Sequence, residues 1–270
     1  MLKDITIGQY FPGRSFVHML DPRVKIVISF LFIVLIFFVK TFIGYGFVFL
    51  FLAAIVAVSD IPVKYVVKGI RPLLFIILLT FFLNVFFTSK GTVIWRLGFL
   101  VLTREGLRQG IFMALRLIFL VSGTSLLTLT TSPIALTDGI ESLLRPLKAI
   151  RFPAHELAMM MTIALRFIPT LLEETDKIMK AQMARGADFE SGNILQRAKS
   201  LVPLLVPLFI SAFRRADELA MAMEARCYRG GDNRTRMKVL KIGKGDYIAI
   251  YFTLLFALLI IWDFVYLGGL

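Results

Sequence analysis

The segment FIGYGFVFLFLAAIVAV, from Phe42 to Val58, carries no charge and a single hydroxyl, that of Tyr45. A helix that is apolar all round is either a buried core element or a membrane span. The rest of the chain decides between the two. Similar runs extend from about Val24 to Val39, Pro72 to Phe87, Gly110 to Leu129 and Tyr247 to Leu267. Each is about 16 to 20 residues long, as a bilayer crossing requires. Backbone polar groups inside lipid must be satisfied within their own segment, so the runs are expected to be helices. The short alternating segments of a membrane β-barrel are absent from the sequence.

Composition agrees. The 270 residues are 58% hydrophobic, 26 of them Phe, and the mean hydropathy is +0.81. An ordinary soluble domain is less apolar. The formal net charge of +13 admits a nucleic-acid surface. In so apolar a chain it reads instead as cytoplasmic loops facing anionic headgroups. Cys227 is the single cysteine, so no internal disulfide forms. No charged n-region leads into a cleavable apolar core, and the chain is expected to insert by its first span.

Arg14, Arg23 and Lys25 precede the first span, and Lys64, Lys68 and Arg71 lie between the second and third. This places the N terminus inside and, after five spans, the C terminus outside. The loop with Lys90, Arg96, Arg104 and Arg108 departs from the rule: either the span count differs by two there, or its WRLGFLVL stretch is an interfacial or re-entrant piece.

Residues 132–244 differ from the rest: charges return while apolar faces persist. They are expected to form a cytoplasmic domain between a membrane domain, 1–131, and a last transmembrane helix, 245–270. Ser132-Pro133 opens one helix, which Pro146 breaks. A second is expected over Ala154–Arg185 and a third over Ile194–Arg226, each roughly 45–50 Å long. Pro169, Pro203 and Pro207 are expected to bend them. The row Ala212, Ala216, Ala220 is expected to allow a close helix crossing.

These two long helices end alike. TDKIMKAQMARGADF (Thr175–Phe189) and ADELAMAMEARCYRG (Ala216–Gly230) align Asp176 with Asp217, Ala181 with Ala222, Ala184 with Ala225 and Arg185 with Arg226. A cation is favourable at a helix C-terminus, and Gly186 suits the position after it. One such ending is an ordinary helix stop. Two alike suggest two alike sockets, hence a partner present in two copies. A guanidinium on a rigid helix end can fork onto carboxylates in a groove.

Other chemistry is missing. The sequence has no phosphate-cradling GxxxxGK[ST] loop, no GxSxG and no Cys/His cluster with metal-ligand spacing. His18 reads as an interfacial packing residue. The spans hold Arg116 and Asn84, with Asp263 near the end of the last. This scarcity of mid-membrane acids argues against a self-sufficient ion-coupled carrier. Arg116 is expected to pair inside the bundle or to snorkel. Met159, Met160 and Met161 suit either an adaptable docking surface or ordinary core packing.

Three blocks, HMLDPRVKI, ALRFIPTLLEETDKIMKAQMARGADF and LVPLLVPLFISAFRRADELAMAMEARCYRGG, together with the last apolar span, resemble the T component of energy-coupling factor transporters, the EcfT/CbiQ family. The resemblance covers nearly the whole chain. It implies an all-α integral membrane protein of about five spans with a cytoplasmic coupling domain of long crossed amphipathic helices. It also implies a non-catalytic importer subunit. Two X-Arg-X motifs, here Ala184-Arg185-Gly186 and Ala225-Arg226-Cys227, would each dock into one ABC ATPase. A small membrane S component would capture a vitamin or other micronutrient, with Met159–Met161 in its docking surface. No cofactor is implied, ATP being bound by the partners, and no nucleic acid. The location implied is a bacterial or archaeal cell membrane.

Overall fold

The computed structural model describes residues 10–87, 92–97, 100–150, 152–187, 189, 193, 195, 199–230 and 239–267. A short helix α1 (Phe16–Met19) precedes α2 (Pro22–Phe38), α3 (Phe42–Ser59), α4 (Val63–Ile70) and α5 (Leu74–Phe87). Strands β1 (Val93–Leu97) and β2 (Leu100–Thr103) pair antiparallel. Then come α6 (Arg104–Thr130), α7 (Pro133–Leu144), α8 (Ala154–Ala184), α9 (Val202–Ala225) and α10 (Lys244–Trp262), which ends in a π-turn over Asp263–Leu267. Lys90, Gly98, Phe99 and Ile194 lie outside the described residues.

Among the described residues, five helical segments are long and apolar enough to cross a membrane: Phe42–Ser59, Val63–Phe87, Arg104–Thr130, Ala154–Ala184 and Lys244–Tyr266. The fold is that of an all-α membrane protein. The membership of the five differs from expectation by one. The expected first span, α2, has 17 residues, at the short limit for a crossing. The long helix α8 joins the set because Leu157–Leu172 contains only one charge, Arg166.

Local chemistry sets the boundaries. Asp21 caps α2, its carboxylate accepting from the Arg23 N–H at 2.9 Å, and Pro22 follows in the first turn. Thr41 and Thr103 cap α3 and α6 through their hydroxyls, each accepting a glycine N–H at 3.0 Å. The Thr103 cap makes α6 begin six residues earlier than its apolar run. The run around Pro72 is divided by a 3-10 turn at Arg71–Leu73. Of the WRLGFLVL stretch, residues 95–97 lie in β1 and 100–102 in β2, with Leu97 paired to Leu100.

Two compact units divide the chain. One comprises residues 8–140 and 239–270. Its core contains Ile36, Val39, Val48, Leu129 and Ile260, all nearly inaccessible. The rings of Phe51 and Phe256 stack at 4.2 Å. Helices α5 and α6 pack closely at Gly106 and Gly110, where an added Cβ would lie 2.9 Å from the Val85 carbonyl and 2.7 Å from Val85 Cγ2. This is a small-xxx-small contact that the sequence reading overlooked.

Polar groups tie this unit together. Asp246, 4% exposed, uses one carboxylate oxygen to accept the Gly243 N–H and the other to accept the Asp21 N–H, both at 2.8 Å. It thus caps α10 and holds the start of α2 against it. Lys25, read as a topology-setting loop cation, is buried instead. Its Nζ donates to the carbonyls of His18 (3.1 Å) and Thr130 (3.0 Å). Arg116 does not snorkel. Its Nη2 donates to the Val39 carbonyl at 3.4 Å, and its guanidinium lies over the Phe37 ring. The orphan carbonyl at the end of α2 is a natural partner for a cation. Asp263 is fully buried, an acid inside a span, and accepts from the Thr41 hydroxyl. His18 is satisfied by Ser15 Oγ at 2.7 Å and the Phe11 carbonyl at 3.0 Å.

The other unit comprises the described residues from Glu141 to Gly230. Arg145–Ile150 forms a 3-10 turn after α7, as the Pro146 break suggested. His155 Nδ1 lies 3.0 Å from Glu141 Oε1 and fixes the entry to α8. In the stretch expected to form the third helix, Leu195, Lys199 and Ser200 are helical, and after a turn at Leu201 helix α9 runs from Val202. Pro203 sits in its first turn, where a missing N–H costs nothing. Pro169 and Pro207 lie inside their helices.

Candidate helix-end docking site

Helix α8 stops at Ala184 and α9 at Ala225, so Arg185 and Arg226 are the C-cap residues. The two terminations have the same hydrogen bonds. The Gly186 N–H donates to the Met183 carbonyl at 3.0 Å, and the Ala187 N–H to the Gln182 carbonyl at 3.0 Å. In α9 the Cys227 N–H donates to Glu224 at 2.8 Å, and the Tyr228 N–H to Met223 at 3.0 Å. Both are Schellman motifs, which require a left-handed residue after the cap. Gly186 supplies it at φ +88°, and Cys227 adopts it at φ +57°.

All six residues of the two motifs, Ala184, Arg185, Gly186, Ala225, Arg226 and Cys227, are exposed. Among the described residues neither arginine forms an ion pair. The repeat thus carries more than a similar spelling: it builds the same backbone ending twice and leaves a guanidinium uncommitted at each.

The two helices are tied together along their length. Arg215 Nη2 donates to Glu174 Oε2 at 3.1 Å, and Gln182 Nε2 donates to the Pro203 carbonyl at 3.4 Å. Moving down α8 corresponds to moving up α9, so the helices run in opposite senses and their arginine tips point apart. The face of α9 that is at least partly covered runs Leu204, Leu208, Ser211, Arg215, Leu219. The expected alanine row lies only partly on it, since Ala216 and Ala220 are exposed. Val206, Phe209, Ile210 and Phe213 form a second, uncovered apolar face. On α8, Met159 is half-buried, whereas Met160 and Met161 are more than half exposed. No group of acidic, His and Cys residues suited to a metal occurs among the described residues.

The CbiQ family, described as cobalt transport proteins, matches residues 13–237, a stretch that includes both arginine tips. The chain belongs to the CbiQ/EcfT family. A relative from Thermosediminibacter oceani is 66% identical over 95% of this chain and 96% of its own. One from Clostridium kluyveri is 64% identical over 92% and 93%, and one from Bacillus subtilis 50% identical over 96% and 98%. Each is named energy-coupling factor transporter transmembrane protein EcfT. Membership in this family agrees with the resemblance read from the three sequence blocks. It also makes the chain a multi-pass membrane protein of a transport family.

Proposed function

We propose that this chain is the transmembrane coupling subunit of an energy-coupling factor importer, without a catalytic centre of its own. The observation that carries the proposal is the pair of exposed, identically terminated helix ends, each presenting an arginine and directed away from the other. Two separate ABC ATPase subunits would take one tip each, with Arg185 and Arg226 forking onto carboxylates. Their ATP-driven movement would pass along α8 and α9 to a small membrane S component that captures a vitamin or other micronutrient. Met160, Met161 and the uncovered apolar face of α9 suit that contact, because Met adapts to different partners and a large exposed apolar patch marks an interaction surface. Residues 132–244 would be the cytoplasmic coupling domain, between spans 1–131 and the last helix 245–270, with the N terminus also cytoplasmic. The chain itself would need no cofactor, ATP belonging to the ATPases.

Purification of the tagged chain from its native membrane tests this reading. Two ATPase subunits and one small membrane protein are expected to accompany it. Arg185→Glu combined with Arg226→Glu should release the ATPases while the membrane unit keeps its unfolding temperature. An intact, fully active complex carrying both substitutions overturns the proposal.

A further inference from the structure

The 41-residue offset that relates Arg185 to Arg226 also relates Glu174 to Arg215. These two residues occupy the same position in the two repeats, and they are bonded to each other at 3.1 Å. Glu174 stands eleven residues before its arginine tip, and Arg215 eleven before its own. At about 1.5 Å per residue, both arms are about 16 Å long. Helices running in opposite senses, joined at equivalent residues, have a local two-fold relation centred on the joint. The ion pair therefore sits midway between the two tips.

The contact grips more than one turn. The Glu174 carboxylate also takes a hydrogen bond from the Ser211 side chain, one turn before Arg215 on the same helix face. Both partners are largely covered, with side-chain exposures of 21% for Glu174 and 36% for Arg215. The arms beyond the joint are built to be stiff. Neither Glu174–Arg185 nor Arg215–Arg226 contains Pro or Gly, and Ala, Met, Leu, Lys and Glu, all strong helix formers, dominate both. Each helix-interior proline, Pro169 and Pro207, lies across the joint from its own helix's tip, so neither arm carries a proline bend.

We infer that Glu174 and Arg215 are positioning residues that set the spacing and orientation of the two arginine tips. The pair works as the fixed centre of a ruler with equal arms. A hinge at this centre displaces both tips equally, which suits an input delivered by a two-fold partner. This assignment rests on the docking reading of the tips for its purpose, but the ruler itself does not depend on any ATPase.

Spin labels at Ala184→Cys and Ala225→Cys, in the full-length chain with Cys227→Ser, measure the ruler directly by double electron–electron resonance in nanodiscs. The expected wild-type result is one narrow distance on the order of 30 Å, from two arms at about 1.5 Å per residue. Glu174→Ala and Arg215→Ala should each broaden it, and Glu174→Gln, which keeps the shape and the Ser211 contact, should broaden it less. The exchange Glu174→Arg with Arg215→Glu should restore the narrow distribution. A distribution unmoved by the single substitutions, or one broadened and not restored by the exchange, overturns the inference. A second measurement separates positioning from general stability, using unlabelled chain and the ATPases that accompany the wild type. Two-site attachment gains from effective concentration, so Glu174→Ala should weaken it by about tenfold. In an Arg226→Glu background, where one tip alone binds, Glu174→Ala should change nothing, and an equal loss there counts against the ruler. If no ATPase binds the wild type, the docking reading fails while the distance measurement still judges the ruler.

Discussion

Arg185 and Arg226 are superimposable as helix caps: both have φ −91°, with ψ of 7° and 11°, and both are followed by a left-handed residue. The side chains that follow are Gly and Cys, so the shared backbone is imposed in spite of the sequence at the second end. A non-glycine residue in that region bears a cost of about 1–2 kcal/mol. Cys227→Gly should therefore stabilise the end of α9 by about 1 kcal/mol, and Gly186→Ala should weaken the end of α8 by a similar amount. Hydrogen exchange at the amides of residues 187 and 228, which close the two Schellman motifs, reads the change locally. Slower exchange at 228 and faster exchange at 187 are expected.

Gly44 faces Asp263 across the α3–α10 contact, where an added Cβ would lie 2.5 Å from Oδ2 and 2.9 Å from Val39 Cγ1. The buried carboxylate accepts from the Thr41 hydroxyl that also caps α3. Gly44→Ala must push one of these groups aside and should destabilise the bundle by about 1–3 kcal/mol. Thr41→Val leaves a buried carboxylate without its donor and should cost about 1–3 kcal/mol. Thermal unfolding in detergent measures both. Gly46, which an added Cβ would leave in open space, is the control: Gly46→Ala should be neutral or mildly stabilising.

The Arg23 guanidinium bonds the Asp21 carboxylate at 3.0 and 2.7 Å and holds it below the usual carboxylate range. An unfolded Asp titrates near about 3.9. A depressed folded value means that the contribution to stability is complete above that pH. It is lost as the pH falls toward the folded value. Wild-type stability should therefore decline below about pH 4, and Asp21→Asn, which keeps a cap, should remove this part of the decline. An identical acid profile in wild type and variant would contradict the assignment.

The spans were legible because uninterrupted apolar length needs no tertiary information to interpret. Their ends were less so. Arg104 and Arg108 read as loop residues, yet the Thr103 cap draws them into α6, a signal available in the sequence and passed over. Pro203 read as a kink in a longer helix and proved to be in the first turn of α9. A proline marks either place, and periodicity alone does not choose. The alanine row was identified by spacing, but the covered stripe of α9 is set by what α8 offers, namely Glu174. The two helix tips were legible through repetition. The left-handed backbone at Cys227 was not, since nothing in a cysteine announces positive φ. Long-range polar ties such as Lys25 to Thr130 had no sequence signal, because each joins residues whose local patterns are complete without the other.

The bond between the Asp21 N–H and the Asp246 carboxylate also sets a clock. Its partners are 225 residues apart, and a ribosome adding about 5–20 residues per second needs roughly 10 to 45 s to travel between them. During that interval α2 lacks the carboxylate that will seat it, while both arms of the ruler are synthesised and free to pair. Helices α8 and α9 are thus finished before the last helix of the other unit. A chain released after residue 243 should show protease-accessible α2 alongside an already formed Glu174–Arg215 joint.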